Sequence, residues 1–370
     1  MTTPSHSPRP NAWLDDIPVY VPGKAITATG APAIKLSANE SAIGPSPLAV
    51  EAYRQAALDM HRYPEGSCPE LRQKIGTTYD LPPDQIICGA GSDELLNMIA
   101  MAFAGPGDDV LYMRHGFMVY PIAARKVGAN AIEVPDQNYT ADVEALLDHV
   151  TDRTKVVFLA NPNNPTGTYI SSQQVDRLKQ GLPDHVVLVI DSAYAEYVDA
   201  PDYSDGIDLV ARSENVIMTR TFSKIYGLAS ARLGWAYAPK PIIDALHKVR
   251  APFNVSEPAH AAGIAALSDV DFLEKAKAHN DLWLGWLTDE VKALGLHVVP
   301  SVANFILVEF PSEGPVTAET ANKALQGAGY TVRWLPGQGL PNCLRISVGL
   351  EEENLGVIAA LKAFLDQARG

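Results

Sequence analysis

Cysteine is scarce in this sequence of 370 residues, which contains three, Cys68, Cys88 and Cys343, far apart along the chain. Cysteines so few and so widely spaced predict neither a disulfide framework nor a cysteine-based metal motif. The histidines also lack the short spacings of common zinc sites, so we expect no metal.

Long apolar runs are missing as well. No stretch approaches the ~20 residues that a membrane-spanning helix needs. The first ten residues are polar and rich in proline, unlike the apolar core of a signal peptide. We therefore expect a cytoplasmic protein without a membrane segment.

Positive charge is in short supply, because 29 Lys and Arg residues face 43 Asp and Glu residues, for a formal net charge of -14. Such an acidic chain is a poor candidate for binding nucleic acid or an anionic membrane, and we expect neither as a partner. Charged residues make up 19% and hydrophobic residues 47%, which is typical of a well-buried globular protein. A chain of this length is predicted to form two domains.

Short apolar runs alternate with helical segments through the first two thirds of the chain. The runs lie at residues 85–88, 110–113, 131–134, 156–160, 186–190 and 216–218, with a return strand predicted at 234–237. This alternation predicts an α/β fold whose large domain has a mostly parallel sheet covered by helices. Ligands of such sheets bind at the carboxyl ends of the strands.

The pattern changes after Pro239. The stretch from Pro258 to Leu294 predicts one long helix, and the short strands and helices that follow are typical of a smaller α+β domain. We expect an N-terminal arm that packs near this small domain, a large cofactor-binding domain and the small domain itself. Their predicted bounds are 1–35, 36–257 and 258–370.

One lysine stands out by its surroundings. Lys224 follows the apolar run 216–218, has Thr221 and Ser223 beside it, and is followed eight residues later by Arg232. A lysine at a strand end, beside hydroxyls and a fixed cation, can condense with an aldehyde whose phosphate is held nearby. Taken alone, the pattern is far more typical of a surface lysine after a strand.

Three other segments carry polar groups at predicted strand ends. Asp191 ends the run 186–190, where a buried carboxylate needs a cationic partner unless it caps a helix or forms a structural ion pair. The segment 161–167 has two prolines and a glycine, which predicts a stiff loop that orients Asn164. The segment 89–93 leads into a helix whose N-terminus could bind an anion or could be a plain turn.

Together these segments resemble the fold-type I aminotransferases that use pyridoxal 5'-phosphate, and the resemblance extends from about residue 20 to the C-terminus. It implies a catalytic set of Lys224, Asp191 and Tyr194. Lys224 would carry the cofactor and Asp191 would pair with its ring nitrogen. Tyr194 and Asn164 would reach the ring hydroxyl, and Arg232 would hold the phosphate.

The same resemblance implies the remaining contacts with the cofactor. The phosphate would lie against Ser92, Asp93, Thr221 and Ser223, and Phe117 would stack on the ring, although it could equally be a core residue. Tyr63 would reach the cofactor phosphate of a neighbouring subunit, which implies a homodimer with a shared active site. Lys224 must also lose its proton near neutral pH, so its pKa must lie roughly 3 units below the ~10.4 of a free lysine. Burial and the nearby Arg232 are expected to lower the pKa in this way.

Within this superfamily the sequence most resembles the histidinol-phosphate aminotransferases. The matching segments are 20–23, 36–40 leading into 44–46, 62–64 and 343–346. The resemblance implies transfer of the amino group of L-histidinol phosphate to 2-oxoglutarate, in histidine biosynthesis. Tyr20, Asn39 and Arg345 would bind the substrate, and Arg333 could assist Arg345 or be structural.

One departure from the family pattern leaves the substrate open. Ser41, Ala42 and Ile43 stand before Gly44, where the family usually has an aromatic residue, so the substrate pocket could differ. An aromatic amino-acid aminotransferase is one alternative, and a phosphoamino-acid decarboxylase of the same fold is another. A regulatory module that binds the cofactor without catalysis is disfavoured, because the chain has neither room nor basic charge for a DNA-binding domain.

Overall fold

The structure is a computed structural model that describes residues 8–17 and 32–369. The strands within these residues are β1 (Ile34–Lys35), β2 (Ile86–Gly89), β3 (Asp109–Met113), β4 (Asn130–Val134), β5 (Thr154–Ala160), β6 (Val187–Asp191), β7 (Val216–Thr221), β8 (Gly234–Tyr237), β9 (His297–Val299), β10 (Phe305–Glu309), β11 (Tyr330–Thr331), β12 (Arg333–Leu335) and β13 (Leu340–Ser347). The α-helices are α1 (Pro47–Ala56), α2 (Pro69–Tyr79), α3 (Ser92–Phe103), α4 (Val119–Lys126), α5 (Val143–Asp148), α6 (Ser172–Gly181), α7 (Ile207–Ala211), α8 (Lys240–Val249), α9 (Glu257–Ala266), α10 (Val270–Ala293), α11 (Ala318–Gly327) and α12 (Glu351–Arg369).

The large sheet has seven strands in the described residues, in the order β2-β8-β7-β6-β5-β3-β4. Strands β3 to β7 pair in parallel, and β8 is antiparallel to both of its neighbours. The strand β8 is the return strand that the sequence predicts. The prediction of an α/β fold with a mostly parallel sheet is confirmed.

The central strands are buried on both faces because helices cover both sides of the sheet. Leu188 and Ile190 of β6 belong to one hydrophobic core, and Val187 and Val189 belong to the core on the other face. Successive side chains of a strand point to opposite faces, so a strand buried on both faces has an unbroken apolar run. This is why the sequence shows runs instead of alternation here.

Buried charges on the side of β7 that faces away from Thr219 and Thr221 are paired. The Arg220 guanidinium donates to Glu196 Oε1 at 3.0 Å and also to an oxygen of Asp205. Its carbon Cζ lies 4.7 Å from the centre of the Tyr79 ring. Burial raises the pKa of Glu196, and the positive charge of Arg220 opposes this. We call Arg220, Glu196, Asp205 and Tyr79 the Arg220 cluster, in which one guanidinium pairs with two carboxylates.

The predicted long helix from Pro258 to Leu294 is wrong in one respect, because two helices, α9 and α10, occupy this stretch. The helical conformation is interrupted at residues 267–269. Asp269 Oδ1 accepts the backbone N–H of Phe272 at 3.3 Å, and its other carboxyl oxygen accepts from the hydroxyl of Ser46. Apolar residues continue through Leu267 and hide the break, whereas the aspartate is the signal of a new helix start.

The C-terminal part has its own antiparallel sheet, in the order β12-β13-β10-β9. Strand β1 pairs in parallel with β11, so the chain just before residue 36 joins this part of the molecule. Leu36 is buried in the same core as Ile306 and Leu344. The division of the chain at residues 35 and 257 stays a prediction.

Candidate active site

A cavity of about 510 Å³ opens at the carboxyl ends of the parallel strands. It brings together residues that the sequence analysis drew from distant segments. The predicted residues that line it are Asn39, Ser92, Asp93, Phe117, Asn164, Asp191, Tyr194, Thr221, Ser223, Lys224, Arg232 and Arg345. Their placement follows the rule for ligand sites of open α/β sheets.

Lys224 lies in the turn after β7, where its Nζ donates to the carbonyl of Ala38 at 3.3 Å. Nζ also lies 5.6 Å from the centre of the Tyr194 ring. Burial lowers the pKa of Lys224 to about 8, and the charge of Arg345 adds to this. Arg232, which the sequence analysis named as the cause beside burial, has a smaller effect than Arg345. The amine is therefore poised to exchange a proton near neutral pH.

Asp191 ends β6 and is almost fully buried. Its Oδ2 accepts from the hydroxyl of Tyr120 at 2.8 Å, and its Oδ1 accepts from Thr219 at 3.1 Å. Burial raises the pKa of Asp191, while these two hydrogen bonds and the charge of Lys224 lower it. No salt bridge reaches its carboxylate within the described residues. A cationic group bound in the cavity would complete its charge balance.

An anion site lies at the N-terminus of α3, the twelve-residue helix that begins at Ser92. Arg232 Nη2 is 2.5 Å from Asp93 Oδ1, and Nη1 donates to Ser223 Oγ at 3.3 Å. The preceding Gly91 has φ +90°, and a Cβ there would collide with the Arg232 guanidinium. Glycine thus leaves room beside the backbone N–H groups and the arginine, a combination suited to a phosphate.

Arg345 lies on β13, far along the chain from the site residues described above. Its Nη1 donates to Asn164 Oδ1, and its Nη2 donates to the carbonyl of Ser37 at 2.8 Å. The guanidinium carbon lies 5.3 Å from the centre of the Phe305 ring. Arg345 is buried, with 7% of its surface exposed, so it is not a surface residue. Arg333 is its partner in the β12–β13 register and lines the same cavity.

Asn39 is buried and has the left-handed conformation, with φ +55°. Its amide Nδ2 donates to the hydroxyl of Tyr194 at 2.9 Å, and its Oδ1 accepts from Ser347 Oγ at 3.1 Å. Both ends of the amide are thus engaged with protein groups. Its predicted contact with the substrate stays a prediction.

One predicted site residue, Tyr63, is not among the residues that line the cavity. Tyr63 is 82% exposed and stacks on Phe253 with ring centres 4.6 Å apart. Tyr20 lies outside the described residues. Ile43, the departure from the family pattern, packs against the core of the large sheet and is likewise not among the cavity-lining residues.

Sequence reasoning missed the two donors to Asp191. Thr219 could have been found, because it lies two residues before Thr221 on one strand and so shares its face. Tyr120 follows Phe117 by about one helical turn, and its ring is in edge contact with Phe117 at 5.9 Å between centres. The cavity is also lined by Glu40, which lies in the matching segment 36–40 but was given no role, and by Gln338, for which no motif gave a signal.

Across residues 8–17 and 32–369, no group of three or more His, Cys, Asp or Glu side chains is placed to hold a metal ion. No helix in that part of the chain has the length and apolar character needed to cross a membrane.

The residues of the cavity fit pyridoxal 5'-phosphate. A lysine of lowered pKa, a carboxylate that lacks a cation and an arginine at a helix N-terminus match an aldehyde, a protonated ring nitrogen and a phosphate. This donor set on a large, mostly parallel sheet defines the class of pyridoxal-phosphate enzymes with the aminotransferase fold.

Comparisons with known proteins place the chain within that class. The family model of aminotransferase class I and II matches residues 31–361. A curated histidinol-phosphate aminotransferase of Rhodospirillum centenum is 52% identical over 358 residues, which are 97% of this chain and 99% of that protein. One of Paramagnetospirillum magneticum is 51% identical over 359 residues, with the same coverage. The chain therefore belongs to the class I and II aminotransferases and, within them, to the histidinol-phosphate aminotransferase family.

Solved structures agree with this assignment. The crystal structure of histidinol-phosphate aminotransferase from Sinorhizobium meliloti in complex with pyridoxal-5'-phosphate has a TM-score of 0.89 and 29% identity, covering 98% of this chain and 99% of that one. An aspartate aminotransferase from Thermus thermophilus has a TM-score of 0.79 and 26% identity, covering 90% and 91%. The predictions of the family, the fold class, the cofactor and the enzyme class are confirmed. The chain is a pyridoxal-phosphate-dependent aminotransferase that uses amino and keto substrates.

Proposed function

We propose that this enzyme transfers the amino group of L-histidinol phosphate to 2-oxoglutarate, producing imidazole-acetol phosphate and L-glutamate in histidine biosynthesis. The observation that carries this proposal is the identity of 51% and 52% to two curated histidinol-phosphate aminotransferases over 97% of the chain. The paired arginines of the cavity support it, because both the donor and the acceptor are anionic.

The proposed roles follow from the contacts. The cofactor, when bound, supplies an electron sink that stabilises negative charge at the substrate carbon. Asp191 keeps the ring nitrogen protonated, and Arg232 with the N-terminus of α3 holds the phosphate. Asn164, Tyr194 and Phe117 orient the ring. These assignments rest on the matching motifs and on the shared cavity.

Lys224 holds the cofactor and moves the proton. Once the substrate amine has displaced it, its free Nζ would take the proton from the substrate carbon, and the resulting ammonium would give that proton up again. A pKa of about 8 leaves a useful fraction of the amine neutral at physiological pH. The neighbouring Ala38 carbonyl, 3.3 Å away, accepts an N–H and so orients the lone pair.

Arg345 selects the substrate by its anion. A charge-assisted hydrogen bond to a buried arginine contributes about 1.5–3 kcal/mol, so the loss of two lowers kcat/KM by at least ~100-fold. We expect kcat/KM for histidinol phosphate to exceed that for histidinol by this factor, with phenylalanine between the two. Arg345→Ala should erase the preference for the phosphorylated substrate.

The matched control for this experiment is Arg114→Ala, which removes an arginine of a surface pair with Glu133. It should leave the preference unchanged. If phenylalanine or tyrosine outperforms histidinol phosphate in the wild type, the aromatic aminotransferase takes the place of this proposal.

We also propose a homodimer with a shared active site. Tyr63, Leu58 and Met60 lie close in sequence and are 82%, 76% and 76% exposed, an unusual density of exposed apolar side chains for a monomer's surface. A second copy of the chain would cover them and would bring Tyr63 to the cofactor phosphate of its neighbour.

Complementation tests the shared site. Lys224→Ala and Tyr63→Ala chains, co-expressed, should restore about a quarter of the wild-type activity, because half of the dimers are mixed and each has one intact site. Co-expressed Lys224→Ala and Asp191→Asn chains should restore nothing, because both residues serve their own subunit. Equal failure of both mixtures would remove Tyr63 from the neighbour's site.

A cytoplasmic location is part of the proposal. The cysteines Cys68, Cys88 and Cys343 are free and buried, as suits a reducing compartment. Fractionation of the source cells would test it, and recovery of the activity outside the cytoplasm would contradict it.

A further inference from the structure

Tyr194 is held by a short chain of hydrogen bonds that begins in the C-terminal sheet. The backbone N–H of Asn39 donates to Ser347 Oγ at 2.9 Å. Ser347 Oγ contacts Asn39 Oδ1 at 3.1 Å, and Asn39 Nδ2 contacts the Tyr194 hydroxyl at 2.9 Å. All three residues are at most 3% exposed, so water does not compete for these bonds.

The three hydrogen bonds run in one direction, from Ser347 through the side chain of Asn39 to Tyr194. A backbone N–H can only donate, so Ser347 Oγ is an acceptor toward the Asn39 backbone. The serine donates its single proton to Asn39 Oδ1, so the amide oxygen faces Ser347. The amide is fixed in one orientation, and its Nδ2 faces Tyr194. The Tyr194 oxygen accepts there, and its own proton is directed away from Asn39.

We propose that Ser347 and Asn39 are positioning residues that make the Tyr194 hydroxyl a hydrogen-bond donor into the cavity. This inference rests on the proposed function, in which Tyr194 faces the ring oxygen of the cofactor. Neither Ser347 nor Asn39 needs to touch the cofactor for this effect. Without Ser347 the amide is free to turn over, and the tyrosine can then donate to Asn39 Oδ1 instead.

The consequence is measurable as the pH at which the absorbance of the bound cofactor changes. A hydrogen-bond donor that faces the ring oxygen of the cofactor stabilises negative charge on that oxygen. The oxygen then holds less strongly the proton that it shares with the nitrogen of Lys224. Loss of the donor therefore raises the midpoint. The charged groups that act on Lys224 are Arg345, Glu40, Arg232 and Asp191, and no variant of the test alters any of them.

The test compares three variants of the holoenzyme by absorbance titration and thermal unfolding. Tyr194→Phe should raise the midpoint by about 1–2 pH units, the equivalent of one hydrogen bond to a charged group. Ser347→Ala should raise it in the same direction by about 1 unit. Ser347→Thr, which keeps the hydroxyl, should stay near the wild type.

Ser301→Ala is the matched control. Ser301 Oγ also accepts a backbone N–H, from Ala303 at 3.2 Å, and donates to an oxygen, of Phe305 at 2.7 Å. It has no hydrogen bond to Tyr194 or Asn39, so its loss should lower the melting temperature without moving the midpoint. If Ser347→Ala fails to fold, Ser347→Cys replaces it, because a thiol is a weak donor of similar size.

The outcomes separate this inference from the proposed function. A midpoint that moves in Tyr194→Phe and not in Ser347→Ala overturns the relay and leaves the proposed role of Tyr194 intact. A midpoint that moves in neither variant overturns both. A shift in Ser301→Ala equal to that in Ser347→Ala would show a general effect of lost packing and would also overturn the relay.

Discussion

Asp191 and Glu196 are two buried carboxylates that lie five residues apart in sequence. They lie at the carboxyl edge of the large sheet, on opposite faces. Burial raises the pKa of both. Glu196 has its cation inside the protein, since Arg220 lies 3.0 Å away. Asp191 has two hydroxyl donors instead, Tyr120 and Thr219. The two carboxylates therefore differ in one respect. Glu196 has a salt-bridge partner within the described residues, and Asp191 does not.

This difference distinguishes a structural charge from a functional one. The Arg220 cluster satisfies its own charges, so its removal should cost stability and leave the chemistry intact. In the proposed role of Asp191 a ligand completes its charge balance, so changing Asp191 should lower the rate and leave stability nearly intact. Variants on the two sides should therefore differ in which property they change.

Asp191→Asn should lower kcat by about 1,000-fold, roughly 4 kcal/mol, because a neutral amide cannot keep a ring nitrogen charged. The melting temperature should change little, since the amide is nearly isosteric and needs no cation. Steady-state kinetics and thermal unfolding measure the two effects. Near-normal turnover would refute the electrostatic role of Asp191.

Arg220→Met should destabilise the protein by about 3–5 kcal/mol, because it leaves Glu196 as a buried, unpaired charge and removes the partner of the half-buried Asp205. Urea unfolding of the cofactor-free protein measures this loss. Adding Glu196→Gln to the same chain should recover part of it. If kcat falls sharply while the free energy of unfolding changes little, the Arg220 cluster belongs to the functional side.

Lys224→Met should stabilise the cofactor-free protein at pH 7 by about 2 kcal/mol, once the water of the cavity is allowed for. The pKa of Lys224 is lowered to about 8, so the folded state loses this proton before the unfolded state does. Wild-type stability therefore rises with pH between about 8 and 10.5, and the advantage of the variant shrinks over that window.

Lys277→Met provides a control of opposite sign for the same titration. Burial lowers the pKa of Lys277, but the hydrogen bonds with Asp199 and Asp281 outweigh it, and the pKa is raised. Its contribution to stability is therefore lost as the pH rises. An advantage of Lys224→Met that does not change with pH would show that charge is not the cause.

Tyr120→Phe should have the smallest effect, a loss of about 10-fold in kcat/KM, or roughly 1.4 kcal/mol, for one hydrogen bond to Asp191. Tyr79→Phe is the comparison on the other side, since its hydroxyl bonds Tyr226 at 2.8 Å and its ring lies against Arg220. Tyr79→Phe should leave kcat/KM unchanged. Equal losses in both variants would remove the distinction between the two sides.

The sequence could predict the groups that sit directly at strand ends. Asp191, Lys224 and Asn164 follow apolar runs, and the carboxyl ends of parallel strands meet at one edge, so their proximity follows from the pattern. The β–α alternation likewise indicated the sheet and its return strand. These features depend on local order along the chain, which a single sequence displays.

Contacts between distant segments could not be predicted in this way. The bond from Asn39 to Ser347 joins residues 308 positions apart, and no periodicity encodes such a pair. The break between α9 and α10 was missed for a related reason, because the apolar pattern of the two helices is continuous. Its cap at Asp269 also bonds Ser46, a residue 223 positions away.

The pairing of the first described strand with the C-terminal part has a consequence for the order of assembly during synthesis. Strand β1 and Asn39 leave the ribosome early, whereas their partners at residues 330–331 and 347 leave near the end. The large sheet, complete by Tyr237, can form while the rest is still being made. The segment that carries Asn39 must then wait unpaired for almost the whole length of the chain. The cavity therefore gains Arg345 and the partner of Asn39 only when translation is nearly finished, whereas Asp191, Lys224 and Arg232 are made much earlier.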